Sequence, residues 1–156
     1  MWGEGKFGQL GLGKDQMVYA SKPTPLSLEE NLQIINVVAG FRQSYIVANQ
    51  TKIICFGSNK TLELGQETKD AIVFSPISLD LGEKGLKNIK KLDVGQRFVV
   101  TLDEGGDLYG WGCNKYGQLG QLPEKKKAHP VTKLDIPKPF KDISCGWNHI
   151  LAQSGL

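Results

Sequence analysis

A ten-residue block occurs three times along this chain. Trp2-Gly3-Glu4-Gly5-Lys6-Phe7-Gly8-Gln9-Leu10-Gly11 returns as Trp111-Gly112-Cys113-Asn114-Lys115-Tyr116-Gly117-Gln118-Leu119-Gly120 with seven of ten positions identical. A more divergent copy, Phe56-Gly57-Ser58-Asn59-Lys60-Thr61-Leu62-Glu63-Leu64-Gly65, lies between them, so the spacings are 54 and 55 residues. A second landmark keeps the period, with Gly40, Gly95 and Gly146 placed 55 and 51 apart, and a third is the proline before an apolar stretch at Pro25, Pro76 and Pro130. Three landmarks in one order mean that the chain repeats one supersecondary unit, and such units bury their apolar surface by packing on one another.

Within each period the apolar runs are short, rich in β-branched residues and bounded by turn residues, which predicts strands. Ile34 to Val38, Ser44 to Ala48 and Lys52 to Phe56 form one set, and Ile89 to Val94, Phe98 to Leu102 and Asp107 to Trp111 the next. Glu104-Gly105-Gly106-Asp107 reads as a hairpin turn, because glycine takes positive φ freely. The three prolines belong in the remaining strand, expected at a sheet edge because proline cannot donate to a ladder. The fold class is all-β: a partial β-propeller of about three four-stranded antiparallel blades.

The Trp-Gly-x-x-x-x-Gly-Gln-Leu-Gly block, together with Cys145-Gly146-Trp147-Asn148-His149 at a period near 50, resembles the regulator of chromosome condensation repeat family. The resemblance covers essentially the whole chain and implies a propeller closed with seven blades. The 156 residues supply fewer than three periods, so residues 1–156 are expected to be an incomplete propeller domain, with motif copies at 2–11, 56–65 and 111–120, drawn from a longer chain. Blade edges left open would be prone to pair or aggregate. Three runs, Ala39 to Arg42, Trp111 to Leu119 and Gly146 to Gln153, resemble a branch of the family that exchanges guanine nucleotides in secretion.

Two functional readings arise from the resemblance. The first is a non-catalytic module that binds protein partners. The alternative is a guanine nucleotide exchange factor for a small GTPase, which needs no covalent chemistry, only preferential binding to the nucleotide-free form. Neither implies a cofactor, a metal or a small-molecule substrate.

Charge narrows the partners. Lys plus Arg is 19 against 16 acidic residues, and residues 1–78 balance at 7 and 7, which disfavours a dedicated nucleic-acid module. No apolar run approaches the ~20 residues of a membrane-spanning helix. The amino terminus lacks the basic and apolar regions of a secretory signal, so an intracellular setting, cytoplasmic or nuclear, is expected. The cysteines at 55, 113 and 145 are odd in number and widely spaced, indicating neither a disulfide framework nor a zinc site.

Most repeated residues read as scaffold. Trp2, Phe56 and Trp111 recur once per unit and are expected to pack between blades; Leu10, Leu64 and Leu119 are expected in the core. Gly3, Gly57 and Gly112, with Gly8 and Gly117 and with Gly11, Gly65 and Gly120, mark close approach and turns, as do Gly40, Gly95 and Gly146. Gly3-x-Gly5-x-x-Gly8 fits the dinucleotide pattern in letters, but no helix comes after it to face a pyrophosphate. Asn59 and Asn114 stand where Gly5 does, suggesting a left-handed backbone position. His149 is expected to be a hydrogen-bonding structural residue, since Gln43 and Phe98 replace it elsewhere, and its spacing from Cys145 gives no reason for a nucleophile and base to face each other. Partner contacts are assigned to the loops: Asp103, Glu104 and Asp107 at an exposed turn, and Lys125, Lys126 and Lys127 in a charged run.

Overall fold

The computed structural model describes residues 1–16, 18–122, 128–137 and 139–155. Among these residues, short β-branched runs separated by turn residues give twelve strands and two single 3-10 turns. The first complete blade is β3 (Ile34–Ala39), β4 (Gln43–Ala48), β5 (Lys52–Ser58) and β6 (Ile72–Asp80), antiparallel in that order. The second is β7 (Ile89–Val94), β8 (Phe98–Asp103), β9 (Leu108–Cys113) and β10 (Ala128–Lys133). Two pairs flank them: β1 (Gly3–Glu4) with β2 (Tyr19–Ala20), and β11 (Phe140–Cys145) with β12 (Ile150–Ser154). The all-β expectation and the order of strands within a blade hold.

Pro76 and Pro130 lie in β6 and β10, the edge strands of their sheets, where the missing N–H costs no ladder bond. Pro25 departs from the expectation. It lies in no strand, because β2 is two residues long and pairs only with β1. The chain from 21 to 33 instead lays Leu26, Leu28 and Leu32 against Ile46, Ile54 and Phe56 on one face of the first blade.

The middle strands β4, β5, β8 and β9 are almost wholly buried, since each is sandwiched between the sheets before and after it. Alternation along a strand divides its side chains between two cores. Val99 faces the core shared with Tyr45, Val47, Ile53 and Cys55 of the first blade, whereas Phe98, Val100 and Leu102 face Ile143 and Ile150 of the β11/β12 pair.

The decamers supply the joints. Leu10, Leu64 and Leu119 are buried, at 4%, 0% and 1% exposure, and each is followed by a glycine with φ between 66° and 75°. A Cβ on Gly11 would lie 3.0 Å from the Phe56 ring, and one on Gly65 would lie 2.6 Å from Cδ2 of Leu79, 3.0 Å from Cγ2 of Val131 and 3.3 Å from Nε1 of Trp111. Each glycine is therefore the seat of the next blade's aromatic. The Trp111 indole N–H donates to the Glu63 carbonyl oxygen at 2.8 Å, and the Tyr45 hydroxyl donates to the same oxygen at 2.8 Å. Trp2 is placed differently from Phe56 and Trp111: it is 68% exposed where they are 0%. Among the described residues no strand pairs with β1 on the side where β4 borders Phe56 and β8 borders Trp111, and no glycine seats the indole.

The Asn59 and Asn114 positions correct the sequence reading. Neither asparagine has positive φ. Their side chains staple the loop: Oδ1 accepts the N–H of Leu64 and Leu119 at 2.9 Å in each copy, while Nδ2 donates to the carbonyls of Gln66 and Gln121. The left-handed position falls three residues later, at Gly8, Leu62 and Gly117, with φ of 77°, 58° and 76°. Leucine there carries a Cβ penalty of about 1–2 kcal/mol that glycine avoids. Because the Leu62 side chain is also partly buried, Leu62→Gly sets this strain relief against lost apolar burial and added chain entropy, and a net change in unfolding stability within about 1 kcal/mol is expected in urea melts, well below the usual cost of truncating a core leucine.

Gly112 is the opposite case. Its φ is 97°, and an added Cβ would meet the Arg97 carbonyl oxygen at 2.6 Å, because the Cys113 N–H donates to that same oxygen at 2.8 Å. Gly112→Val combines backbone strain with a collision against main chain, and a loss of more than about 3 kcal/mol is expected. Thermal unfolding at the parent temperature would contradict this.

Candidate functional site

Strands alternate in direction, so the connections fall at two ends of the blades. One end carries the turns 40–42, 95–97 and 146–149 together with the decamer loops; the other carries the hairpins 49–51 and 104–107 and the segments 81–88 and 134–139.

The acidic candidates Asp103, Glu104 and Asp107 come together at the second end, but not as one exposed cluster. Asp103 is 1% exposed. Its two carboxylate oxygens accept the N–H of Asp107 at 2.9 Å and of Lys87 at 3.4 Å, which makes it the internal staple of the β8–β9 hairpin. Glu104 is exposed and accepts from the Asn88 amide at 3.0 Å. Asp107 pairs with Lys133 at 2.6 Å, and that hydrogen-bonded carboxylate holds the Lys133 ammonium above its ordinary pKa. An open depression of about 470 Å³ here is lined by this ion pair and by Leu134 to Pro137 and Pro139. Asp107 and Lys133 are matched to each other, and Asp135 adds a carboxylate with no ion-pair partner among the described residues. Lys125, Lys126 and Lys127 lie outside the described residues.

The first end has a different character. The three turns that begin at Gly40, Gly95 and Gly146 converge, because β3 and β11 both pack against β7. Each turn is tightened in the same way: the N–H of the glycine donates to the carbonyl of the third residue on, at 2.8 to 2.9 Å. A Cβ on Gly95 would collide with the Phe98 ring and one on Gly146 with the His149 ring, so these glycines exist to let the third side chain fold back over the turn. His149 is an exposed ring resting on Gly146.

The residue after each glycine, Phe41, Gln96 or Trp147, then points out of the fold. These three line an open depression of about 390 Å³ whose floor is Gly40, Gly95, Gly146 and Cys145. Phe41 is 49% exposed and Trp147 57%, yet their ring centroids are 5.4 Å apart at an interplanar angle of 54°. The Gln96 N–H donates to the Trp147 carbonyl at 3.0 Å and locks two of the turns together. The Arg42 guanidinium lies 3.8 Å from the centroid of Phe7 and 4.9 Å from that of Phe41. Among the described residues it has no carboxylate partner. Aromatic and arginine side chains held together at a surface carry most of the energy of protein interfaces.

Sequence reasoning assigned no role to Phe41, Arg42 and Trp147. The available signal was variation: after a glycine common to all three turns, the next positions read Phe41, Gln96 and Trp147, then Arg42, Arg97 and Asn148.

Nothing at this floor is built for nucleophilic chemistry. Burial, with the Asp93 carboxylate second, pushes the Cys145 thiol up to about 12, and among the described residues no hydrogen bond joins its Sγ to His149. Burial likewise pushes Cys55 up to about 12. The thiolate fraction near pH 8 is therefore minute, and Cys145 is expected to alkylate with iodoacetamide more than about a hundredfold slower than free cysteine. Site-resolved mass spectrometry over a time course checks this.

The fold and this surface define a class: radially stacked four-stranded blades joined by glycine turns, the β-propeller. Residues 1–47 and 105–153 match the regulator of chromosome condensation (RCC1) repeat, and residues 89–118 match a second form of the same repeat. The chain belongs to the RCC1 repeat family. It is 28% identical to the ultraviolet-B receptor UVR8 of Arabidopsis thaliana over 98% of its own length and 34% of that receptor's. It is 30% identical to the probable E3 ubiquitin-protein ligase HERC6 of Homo sapiens over 97% of its length and 15% of the ligase's. The chain thus spans about a third or less of these relatives. Among solved structures, Prp20p of Saccharomyces cerevisiae superposes with a TM-score of 0.83 at 22% identity, covering 97% of this chain and 38% of that one. Human WBSCR16 superposes with a TM-score of 0.82 at 18% identity, covering 98% and 39%.

Proposed function

We propose that residues 1–156 form part of a propeller domain that acts as a non-catalytic protein-interaction module, binding through the blade end that carries Phe41, Arg42 and Trp147. The observation that carries this reading is the Phe41–Trp147 pair: two large rings from separate blades, brought to 5.4 Å and left half exposed beside an arginine with no carboxylate partner among the described residues. Burying them against a partner recovers apolar area and aromatic contact that the free chain leaves in water. Structures of the yeast relative concern its binding to Gsp1p and histones and its complex with Kap60, which supports a partner-binding role for a propeller of this kind. An exchange factor would use the same type of surface, and it is separated by a nucleotide-release assay rather than by any residue in the chain.

The test is quantitative affinity capture with three proteins: the parent chain, the double variant Phe41→Ala/Trp147→Ala, and Asp107→Ala at the far end. The double variant should lose its specific partners by more than about tenfold while Asp107→Ala retains them. Equal recovery by all three would overturn the assignment of this surface. Nucleotide release from a panel of small GTPases is expected to be unaccelerated by the same samples.

A further inference from the structure

The two ends of the blades carry opposite charge. In the connections at the aromatic end (5–18, 40–42, 59–71, 95–97, 114–122 and 146–149) there are seven basic and four acidic residues, and one of the four, Glu63, is only 1% exposed. In the connections at the other end (21–33, 49–51, 81–88, 104–107 and the described part of 134–139) there are three basic and six acidic residues. A net charge of +3 for the whole chain conceals this polarity.

Two basic side chains occupy equivalent places in the converging turns: Arg42 and Arg97 both stand two residues after the repeat glycine. Arg97 is exposed, and among the described residues neither guanidinium has an ion-pair partner. A planar guanidinium with free donors is suited to a carboxylate approached in two-point fashion.

We propose that this end of the blades binds an acidic polypeptide segment, its carboxylates meeting Arg42 and Arg97 and an apolar side chain entering the depression against Phe41 and Trp147. The inference rests on the preceding assignment of the surface and names the partner's chemistry. Charge complementarity selects an anionic partner, and the rings select one that also offers apolar side chains. A nucleic-acid duplex brings phosphates but nothing apolar to cover the rings. The rings are tilted by 54°, which offers successive bases no flat platform, and they line a depression rather than rising as a wedge into lipid.

The test is selection of a random peptide display library on the parent chain, then titration of the enriched peptides by fluorescence anisotropy. Enrichment of sequences that combine Asp or Glu with Leu, Phe or Trp is expected. Their affinity should fall as salt is raised and by about tenfold or more in Arg97→Glu. Arg97 is exposed, so this variant should fold, and its thermal melt is recorded alongside; Arg42→Lys, which keeps the charge but alters the stacking and fork geometry, serves as the second variant. Enrichment of neutral or basic peptides would overturn the proposal. So would arginine-dependent binding of single-stranded oligothymidine or phosphatidylserine vesicles with no acidic peptide enriched. If partner capture depends on Phe41 and Trp147 but the selected peptides are not acidic, the surface assignment stands and the inference about its partner falls.

Discussion

The Trp111 indole rests on Gly65 and donates its N–H to the Glu63 carbonyl at 2.8 Å, and the stacking of blade upon blade depends on this contact. Phe56 repeats its apolar part on Gly11. In each case a large flat ring needs a place where the preceding blade presents no Cβ, and the left-handed glycine at the end of the decamer is that place. Phe56 lacks the indole donor. Trp111 has it, and the carbonyl it reaches also satisfies the buried Tyr45 hydroxyl, so one oxygen closes two polar groups that burial would otherwise penalise.

Seating the blades this way has a consequence at their ends. Once β3, β7 and β11 are held side by side, the turns at their tips are crowded together, and residues over a hundred positions apart in sequence become neighbours. The Gly40, Gly95 and Gly146 turns share one backbone design and differ in the side chains placed after the glycine. The third residue folds back over the turn glycine in each, and the first projects outward. Binding chemistry can vary there without touching the core, in keeping with function placed on loops held by a rigid scaffold.

Divergence within the repeat shows which positions tolerate change. Leu62 stands at a left-handed position that glycine holds in the other two copies, and Glu63 stands where they carry glutamine. Glu63 keeps the local bond, its Oε2 accepting the Thr61 N–H at 2.6 Å as Gln9 and Gln118 accept from Phe7 and Tyr116, but its Oε1 is buried without a partner. The middle copy thus holds its shape while carrying local strain that neighbouring blades offset through packing.

The repeat itself determined the fold class, the strand order and the core leucines, because a periodic pattern of turn glycines and short β-branched runs admits few arrangements that bury every face. It also led to errors where one letter pattern serves two physical purposes. Asn59 and Asn114 stand where Gly5 does in the first copy, yet they serve there by side-chain stapling and not through backbone handedness. Asp103 is as acidic as Glu104 in sequence, yet it turns inward to hold the hairpin while Glu104 faces water. Trp2 matches Trp111 letter for letter and is exposed, since burial requires a seat on another blade. The proposed binding surface lay beyond sequence reasoning for the same reason. Periodicity reports what each unit has in common, whereas this constellation joins rings that differ between units, Phe41 and Trp147, to arginines at equivalent turn positions, Arg42 and Arg97, and only the radial stacking of the sheets brings them to one place.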